Sequence, residues 1–415
     1  MAGEVMSPSA HRQVSTQRIP ALWILSVPFL TYGMVGGFII VTLPLMLVPQ
    51  GVTGGRIAVA VAVVLSPMFW NFVFAPCLDV WFRRRTYALI FGALAAATTA
   101  FTVIHHASLV EVETVMGGSF LAVSLFGAAV GGWIGSIVEK EQDSRLGAWC
   151  TIYNICGDGI GILISGYATQ HLAPTAAAAL VFAAFLAPLL VLPMIPAPPP
   201  DKVLASESFR RFVREVIVIV KRRETLVALA LFVLPSASFA LSNTLGGWSG
   251  NFHATPSFVS VASGVGLIVG ALAGCSLVPP IARNVPLRLL YLAIGLIGAA
   301  FTLAVLLLPR MSVTYGIAFL GENLFQAAGF ATALAIIFEL IGPGNPLAAT
   351  TFALLTAAMN LPIDYMEVID AQGYDWHGIA GAFLADALVS AAACIVLAII
   401  LRRQLFPAPS VAAPA

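Results

Sequence analysis

Charged residues are scarce in this sequence, at 9% of 415 residues, while hydrophobic residues make up 60%. Soluble domains carry about 25% charged residues, so the composition excludes a soluble globular protein and indicates an integral membrane protein. Cysteine is sparse as well. The five cysteines are scattered through apolar segments, without the CxxC or Cys/His spacing of a metal or disulfide site. We therefore expect packing cysteines and no metal.

Motifs for enzyme chemistry are also missing. The sequence has no HExxH, no glycine-rich phosphate loop and no Ser/His/Asp set. These absences disfavour a membrane-embedded enzyme. We expect no enzymatic activity, no cofactor and no nucleic-acid partner.

Apolar windows of about 20 residues, the length of a helix that crosses a bilayer, recur along the whole chain. We count twelve, near 20–48, 57–81, 86–106, 114–138, 148–170, 175–196, 225–250, 257–281, 287–308, 312–340, 348–371 and 377–401. The sequence therefore predicts an all-α integral membrane protein with twelve transmembrane helices.

Lysine and arginine are distributed unevenly between alternate loops. With the N-terminus in the cytoplasm, 18 of the 20 basic residues fall inside, and Arg56 and Arg310 fall outside. Basic residues favour cytoplasmic loops, so we expect both termini in the cytoplasm. The predicted location is a bacterial inner membrane, which the chain would cross as a monomer.

The longest loop divides the spans into two groups of six. We predict a cytoplasmic N-terminal tail at 1–19, a six-helix half at 20–196, a cytoplasmic linker at 197–224, a second six-helix half at 225–402 and a tail at 403–415. Within the linker, apolar residues recur at helical spacing with basic residues off that stripe. This pattern predicts a basic amphipathic helix on the inner leaflet, and a membrane-seated linker explains it better than a regulatory surface.

A pattern of charged residues lies at the end of span 2 and in the next loop, where the chain reads Ala-Pro-Cys-Leu-Asp79-Val-Trp-Phe-Arg83-Arg84-Arg85. A carboxylate at the cytoplasmic rim can pair with the loop arginines and with the positive N-terminal end of a helix in the other half. We expect Asp79, Arg83 and Arg84 to form a latch that favours one of two conformations. The alternative is that the arginines only set topology. Glu339, at the inner end of span 10, is a further gating candidate that pairs with loop arginines or is simply solvated.

Two groups of six spans around a long basic loop resemble the major facilitator superfamily, whose halves rock about a central site. The Asp79 region keeps the spacing of the Asp and the later arginine pair in that superfamily's Gly-x-x-x-Asp-Arg-x-Gly-Arg-Arg signature. Ala75, Val80 and Phe82 replace the usual Gly, Arg and Gly.

Three stretches resemble AmpG-like permeases more narrowly. They are the Phe-x-x-Ala-Pro that precedes Asp79, the small-residue run Tyr153–Gly161 in span 5, and Thr350-Thr-Phe-Ala-Leu-Leu-Thr356 with Asn360-Leu361 in span 11. The resemblance implies a muropeptide permease, with acetyl-CoA transporters and siderophore-uptake permeases as relatives. Family members often place an arginine in span 5, where this chain has Asp158, so a cationic anchor for an anionic ligand is missing.

Acidic residues lie within the predicted spans. A carboxylate at membrane depth costs roughly 2.5–3.5 kcal/mol on insertion scales, so it marks a cavity or a partner. Glu322 and Asp364 are the leading candidates, Asp158 is third, and Glu367 lies one turn after Asp364. The resemblance implies that Asp158, Glu322 and Asp364 face one cavity. Asp370, further along, is expected at the hydrated outer rim.

No lysine or arginine lies near the middle of the spans to neutralise these acids. A buried carboxylate without a basic partner stays protonated, because desolvation penalises its charged form, and such a group can carry a proton between two aqueous faces. We therefore expect proton-coupled transport. The alternative is that each acid only forms hydrogen bonds between helices, as an amide would.

Polar and aromatic side chains at cavity depth suit a sugar, a peptide or an aromatic ligand. Each alone is more often a packing residue. The predicted substrate-binding residues are Trp70, Asn71, Tyr32, Asn154, Asn243, Asn323 and Asn360.

The sequence as a whole predicts a secondary active transporter. It would move a mid-sized polar metabolite, muropeptide-like, with protons across the inner membrane by alternating access. The alternatives are a siderophore or acyl-conjugate uptake permease and a non-transporting pigment or lipid assembly factor of the same fold.

Overall fold

The computed structural model describes residues 20–47, 50–52, 54–79, 82–106, 108–196, 217, 221–246, 248–342, 345 and 347–402. These residues form helices, turns and irregular connections, and no β-strand occurs among them. Both predicted tails, and nearly all of the predicted amphipathic helix in the linker, lie outside the described residues.

The first half of the chain forms six helices. A short helix, Leu22–Ser26, precedes the first of them. The six are α1 (Phe29–Leu47), α2 (Gly54–Leu65, then the short turns Pro67–Trp70, Asn71–Val73 and Ala75–Asp79), α3 (Arg84–Ile104), α4 (Leu109–Gly135), α5 (Asp143–His171) and α6 (Pro174–Met194).

The second half of the chain also forms six helices. Its helices are α7 (Arg223–Val233, Leu241–Thr244 and Ser249–Phe252), α8 (Pro256–Ala282), α9 (Leu287–Val305), α10 (Ser312–Ile341), and α11 and α12, which share the stretch Ala348–Ile400. Nine described helical stretches are long and apolar enough to cross a membrane. One of the nine holds both α11 and α12, and the broken helices α2 and α7 complete the twelve.

The prediction of a continuous span at 225–250 is wrong, because helix α7 breaks after Val233. Pro235 has no N–H to donate, so a helix cannot pass through it without freeing backbone groups. The Ser236 hydroxyl donates to the carbonyl of Leu231 at 3.0 Å, and the Cys394 thiol donates to the carbonyl of Ser236 at 3.1 Å. Protein groups thus satisfy part of the freed backbone, as an irregular segment at membrane depth requires.

Helix α11 is longer than the predicted span 348–371 and continues to Trp376. The break from α12 falls at His377 and Gly378, where Gly378 has φ 61°, a conformation that glycine adopts without strain. The end of α11 and the start of α12, on either side of the break, approach each other closely. A Cβ atom at Gly373 would lie 2.6 Å from the carbonyl oxygen of Gly381.

Basic residues mark one end of the bundle. Arg83, Arg145, Arg283 and Arg288 lie where α2 meets α3, at the start of α5, and where α8 meets α9. We call this end the basic end. It corresponds to the face for which the sequence predicts contact with the cytoplasm.

Glycines let the two halves touch near the basic end. A Cβ atom at Gly132 of α4 would lie 2.5 Å from the backbone nitrogen of Ala349 in α11. One at Gly147 of α5 would lie 2.5 Å from the carbonyl oxygen of Ala331 in α10. Because these backbones are in direct contact, the halves are closed against each other here.

Candidate functional site

Asp79 joins the two halves at the basic end. Helix α11 starts at Ala348, and its first N–H groups have no carbonyl partner within the helix. The Asp79 carboxylate accepts hydrogen bonds from the N–H of Ala349 at 3.1 Å, the N–H of Thr350 at 2.8 Å and the hydroxyl of Thr350 at 2.7 Å. A residue of the first half therefore acts as the N-terminal cap of a helix in the second half.

Arg84 completes this contact. Its guanidinium donates to Oδ1 of Asp79 through Nε at 3.0 Å and Nη2 at 2.9 Å, and both side chains are fully buried. Arg84 also donates to the carbonyl of Asn345, just before α11, at 3.0 Å. Arg83 is exposed at the N-cap of α3. We call Asp79, Arg84, Ala349 and Thr350 the latch.

Glu339 lies at the same end and contacts both halves. Its carboxylate is 3.5 Å from Nζ of Lys140, before α5, and 3.6 Å from Nη1 of Arg288 in α9. The Lys140 side chain is two-thirds exposed, so solvent screens this pair and its contribution is small.

Three predicted residues form a polar face on α11. Asn360, Asp364 and Glu367 follow the i, i+4, i+7 spacing that places side chains on one side of a helix. Asp364 is exposed, and the other two are half-buried. Glu367 accepts a hydrogen bond from the amide of Asn243 in α7 at 2.8 Å. The structure thus brings two predicted groups, Glu367 and Asn243, into direct contact.

Asp158 lies between α1 and α5. A methyl group at Gly36 would lie 2.7 Å from its Oδ1 atom, so the glycines of α1 make room for the carboxyl group. The neighbouring Asn154 contributes its backbone to the same packing, because a Cβ atom at Gly33 would lie 2.7 Å from the backbone nitrogen of Asp158 and still closer to the carbonyl oxygen of Asn154. Asp158 is half-buried.

Glu322 departs from its predicted place. It is 1% exposed, and its Oε1 accepts a hydrogen bond from the Thr302 hydroxyl of α9 at 2.6 Å. The carboxyl group of Glu322 interacts electrostatically with that of Asp386 in α12. Glu322 therefore points into the second half, and the structure does not group it with Asp364 and Asp158 on one face.

Asp370 overturns a second prediction. The sequence predicts this side chain at a hydrated rim, but it is 0% exposed. Its carboxyl group interacts with those of Asp386, Glu322 and Glu367. Because α11 continues to Trp376, Asp370 lies well inside the helix rather than at its end.

The remaining predicted substrate residues differ in accessibility. Trp70 is 39% exposed, and its ring packs edge-on against Phe74 at 5.9 Å. Tyr32 is half-buried beside Phe120. Asn71 and Asn323 are buried, and each donates to a carbonyl of its own helix, at 3.4 Å and 2.8 Å.

Sequence reasoning missed Asp370, Asp386 and Thr302 as members of one group. The mid-span acid Asp386 was a visible signal, but α12 belongs to the peripheral helices of the fold that the sequence resembles. The glycine pair Gly373 and Gly381 was the other signal, because paired small residues permit the helix approach that buries these acids together.

Comparisons with known proteins support the fold. Neither a family model nor a curated protein sequence matches the chain. Solved structures do match. The human organic anion transporter MFSD10 (TETRAN) has a TM-score of 0.65 at 13% identity, covering 91% of this chain and 97% of that one.

Two further solved structures agree. The proton:xylose symporter XylE, a major facilitator superfamily protein bound to 6-bromo-6-deoxy-D-glucose, has a TM-score of 0.65 at 13% identity. The match covers 92% of this chain and 94% of that one. A bacterial homologue of the iron transporter ferroportin, in its outward-facing state with soaked iron, has a TM-score of 0.62 at 14% identity, covering 91% of this chain and 98% of that one. These likenesses confirm the predicted fold: the chain is a multi-pass membrane protein with the major facilitator fold.

Proposed function

We propose that this major facilitator fold works as a proton-coupled secondary active transporter, which moves a mid-sized polar, muropeptide-like metabolite across a bacterial inner membrane. The basic end faces the cytoplasm in this proposal, in line with the 18-to-2 distribution of basic residues. The transporter acts as a monomer.

The latch is the observation that carries this proposal. Alternating access needs two halves that close at one end and can separate there again. The Asp79 carboxylate binds the start of α11 through directional hydrogen bonds of 2.7–3.1 Å, together with Arg84. These bonds can break as a group, so the contact is suited to stabilising one of two discrete states.

The polar face of α11 supports proton coupling. Asp364 is exposed, Glu367 is half-buried, and the hydrogen-bond partner of Glu367 is the neutral amide of Asn243. Because no cation compensates this pair of carboxyl groups in the described contacts, proton binding is a favourable way to neutralise them. Protons and solute would move along the same path between the halves.

The charge of the described interior also bears on the substrate. Asp158, Asp364 and Glu367 are acidic, while the described arginines and lysines lie at or near helix ends. Solutes with many negative charges fit these acids poorly, so acyl-CoA esters, with their phosphates, are the least favoured alternative. Siderophores are the alternative substrate class, and the binding screen described next includes them.

Purified protein in sealed liposomes tests the proposal. A thermal-shift screen with muropeptides, siderophores and acyl-CoA esters first identifies the solute that binds the folded state, since a ligand of the folded state raises the melting temperature. With that solute, we expect uptake driven by a pH gradient, and acidification of the lumen in step with it. An assembly factor of the same fold would move neither solute nor protons.

Two variants test the role of the acids. Asp364→Asn and Glu322→Gln should abolish gradient-driven uptake while the protein keeps its melting temperature. Asp375→Asn, an exposed acid at the end of α11, is the matched control and should transport normally. Full proton-driven uptake in both test variants would refute the proposed proton carriers.

A further inference from the structure

Three buried carboxyl groups interact with one another inside the second half. Glu322 comes from α10, Asp370 from α11 and Asp386 from α12, and they are 1%, 0% and 2% exposed. Asp370 interacts electrostatically with both of the others, and Glu322 with Asp386. We call these three residues the acidic triad.

The triad has unused hydrogen-bonding capacity. Among the described residues, neither carboxyl oxygen of Asp370 has a hydrogen-bond partner, and Oε2 of Glu322 and Oδ1 of Asp386 also have none. Thr302 donates to the other oxygen of Glu322. A buried acceptor without a donor is costly, so these oxygens indicate that something the protein chain does not provide binds them.

Electrostatics restricts what that ligand is. The charged groups that interact with Asp370 are Asp386, Glu322 and Glu367, all of them acids. A buried carboxylate without a cation is unfavourable, and several together repel one another. Protons remove the charges and give each carboxyl group, which is otherwise only an acceptor, an O–H donor. Within the described residues, no group of acids, histidines and cysteines has a geometry that would hold a metal ion.

We propose that Glu322, Asp370 and Asp386 form a shared-proton site in the second half, built by the close approach of α11 and α12. Gly373 and Gly381 allow that approach, and the Thr302 hydroxyl orients Glu322. Where buried carboxyl groups interact, their protons are released in steps that belong to the group as a whole and not to one residue.

Helix α11 connects this site to the latch. Its N-terminal end is bound by Asp79, and Asp370 lies further along the same helix. Removing a proton from the triad leaves a buried charge, which favours separation of α11 from α10 and α12 so that water can enter. The site would then bias the position of α11 and therefore the latch. This last step rests on the proposed transport function, whereas the proton site itself does not.

Infrared spectroscopy of the purified protein tests the site without transport. Protonated carboxyl groups have a carbonyl stretching band distinct from that of carboxylates. We expect the protein to keep such a band at neutral pH and to lose part of it in Asp370→Asn and Asp386→Asn. The control Asp375→Asn removes an exposed carboxyl group at the end of α11 and should leave the band unchanged.

Two results would overturn the proposal. One is an unchanged band in Asp370→Asn and Asp386→Asn, provided that both variants melt as the parent protein does. The other is loss of the band in sodium chloride but not in choline chloride, which would assign the triad to a sodium ion. If either variant fails to fold, Glu322→Gln provides the same measurement. A normal infrared result without any transport in liposomes would refute the proposed function and leave the proton site intact.

Discussion

At the residue scale, Asp79 holds polar groups of both halves at once. It accepts hydrogen bonds from two N–H groups and a hydroxyl of α11 and pairs with Arg84. All of these partners are buried, so removing the Asp79 carboxylate takes the negative charge from beside the buried Arg84 guanidinium. The energetic importance of the latch therefore comes less from any single bond than from this loss of a buried charge pair.

We expect Asp79→Asn to destabilise the protein by about 3–5 kcal/mol, the usual cost of breaking a buried ion pair. Arg83→Gln is the matched control, because Arg83 is the exposed neighbour of Arg84, and surface substitutions usually change stability by about 0.5 kcal/mol or less. Thermal melting of the purified variants measures both. Equal melting temperatures for Asp79→Asn and the parent protein would contradict the energetic role of the latch.

The residues of the latch and of the acidic triad were predictable to different degrees. The spacing of Asp79 and the arginines is local in the sequence, and it predicts a carboxylate close to the loop cations and a helix end. Asp370 has no such local signal. Its burial depends on where α11 ends and on the contact with α12, and both are tertiary properties that hydropathy does not encode.

At the element scale, α11 connects the latch, the polar face and the acidic triad. Its last turn is held by contacts with α7: Tyr374 stacks on Trp248 at 4.8 Å and accepts a hydrogen bond from Asn251 at 2.9 Å. The sequence predicts a loop at 372–376, between the spans 348–371 and 377–401. These contacts explain why the helix continues to Trp376 instead.

The junction of α11 and α12 can be tested by adding volume. We expect Gly381→Val to cost about 1–3 kcal/mol, because a side chain there overlaps the backbone of Gly373 and separates the helices. Gly118→Ala in α4 is the control, since nothing lies within 4 Å of a Cβ atom at that position. Thermal melting compares the two. A Gly381→Val variant as stable as the control would show that the helices have more room than the structure indicates.

At the scale of the whole molecule, composition and span count predict an all-α membrane protein with two groups of six helices, and the resemblance to the major facilitator superfamily supplies the rest of the fold. Apolar windows, their number and the long central loop all follow from the bilayer and from chain connectivity. The substrate does not follow from the same features, because the fold fixes where a cavity lies and not which solute fits it. Which end of the molecule is closed also depends on side-chain contacts between the halves, which only the structure shows.

The closed basic end predicts how the halves respond to a bulky residue between them. A side chain at Gly132 overlaps the backbone of Ala349, so Gly132→Leu should prevent closure of the basic end and favour the alternative state. Spin labels at Glu141→Cys and Asn284→Cys, both exposed residues of this end in opposite halves, report the separation. The accessible cysteines Cys77 and Cys156 are replaced by serine first, since the other three are buried.

Pulsed electron resonance should then give a longer label-to-label distance in Gly132→Leu than in the labelled parent. Gly118→Leu is the control for bulk alone, because it lies on α4 and points into open space. It should leave the distance unchanged. Because a two-state molecule responds by shifting populations, the longer distance should appear as a second peak rather than as a gradual displacement. An identical distance distribution in Gly132→Leu and the parent would mean that the contact of α4 with α11 does not hold the basic end closed.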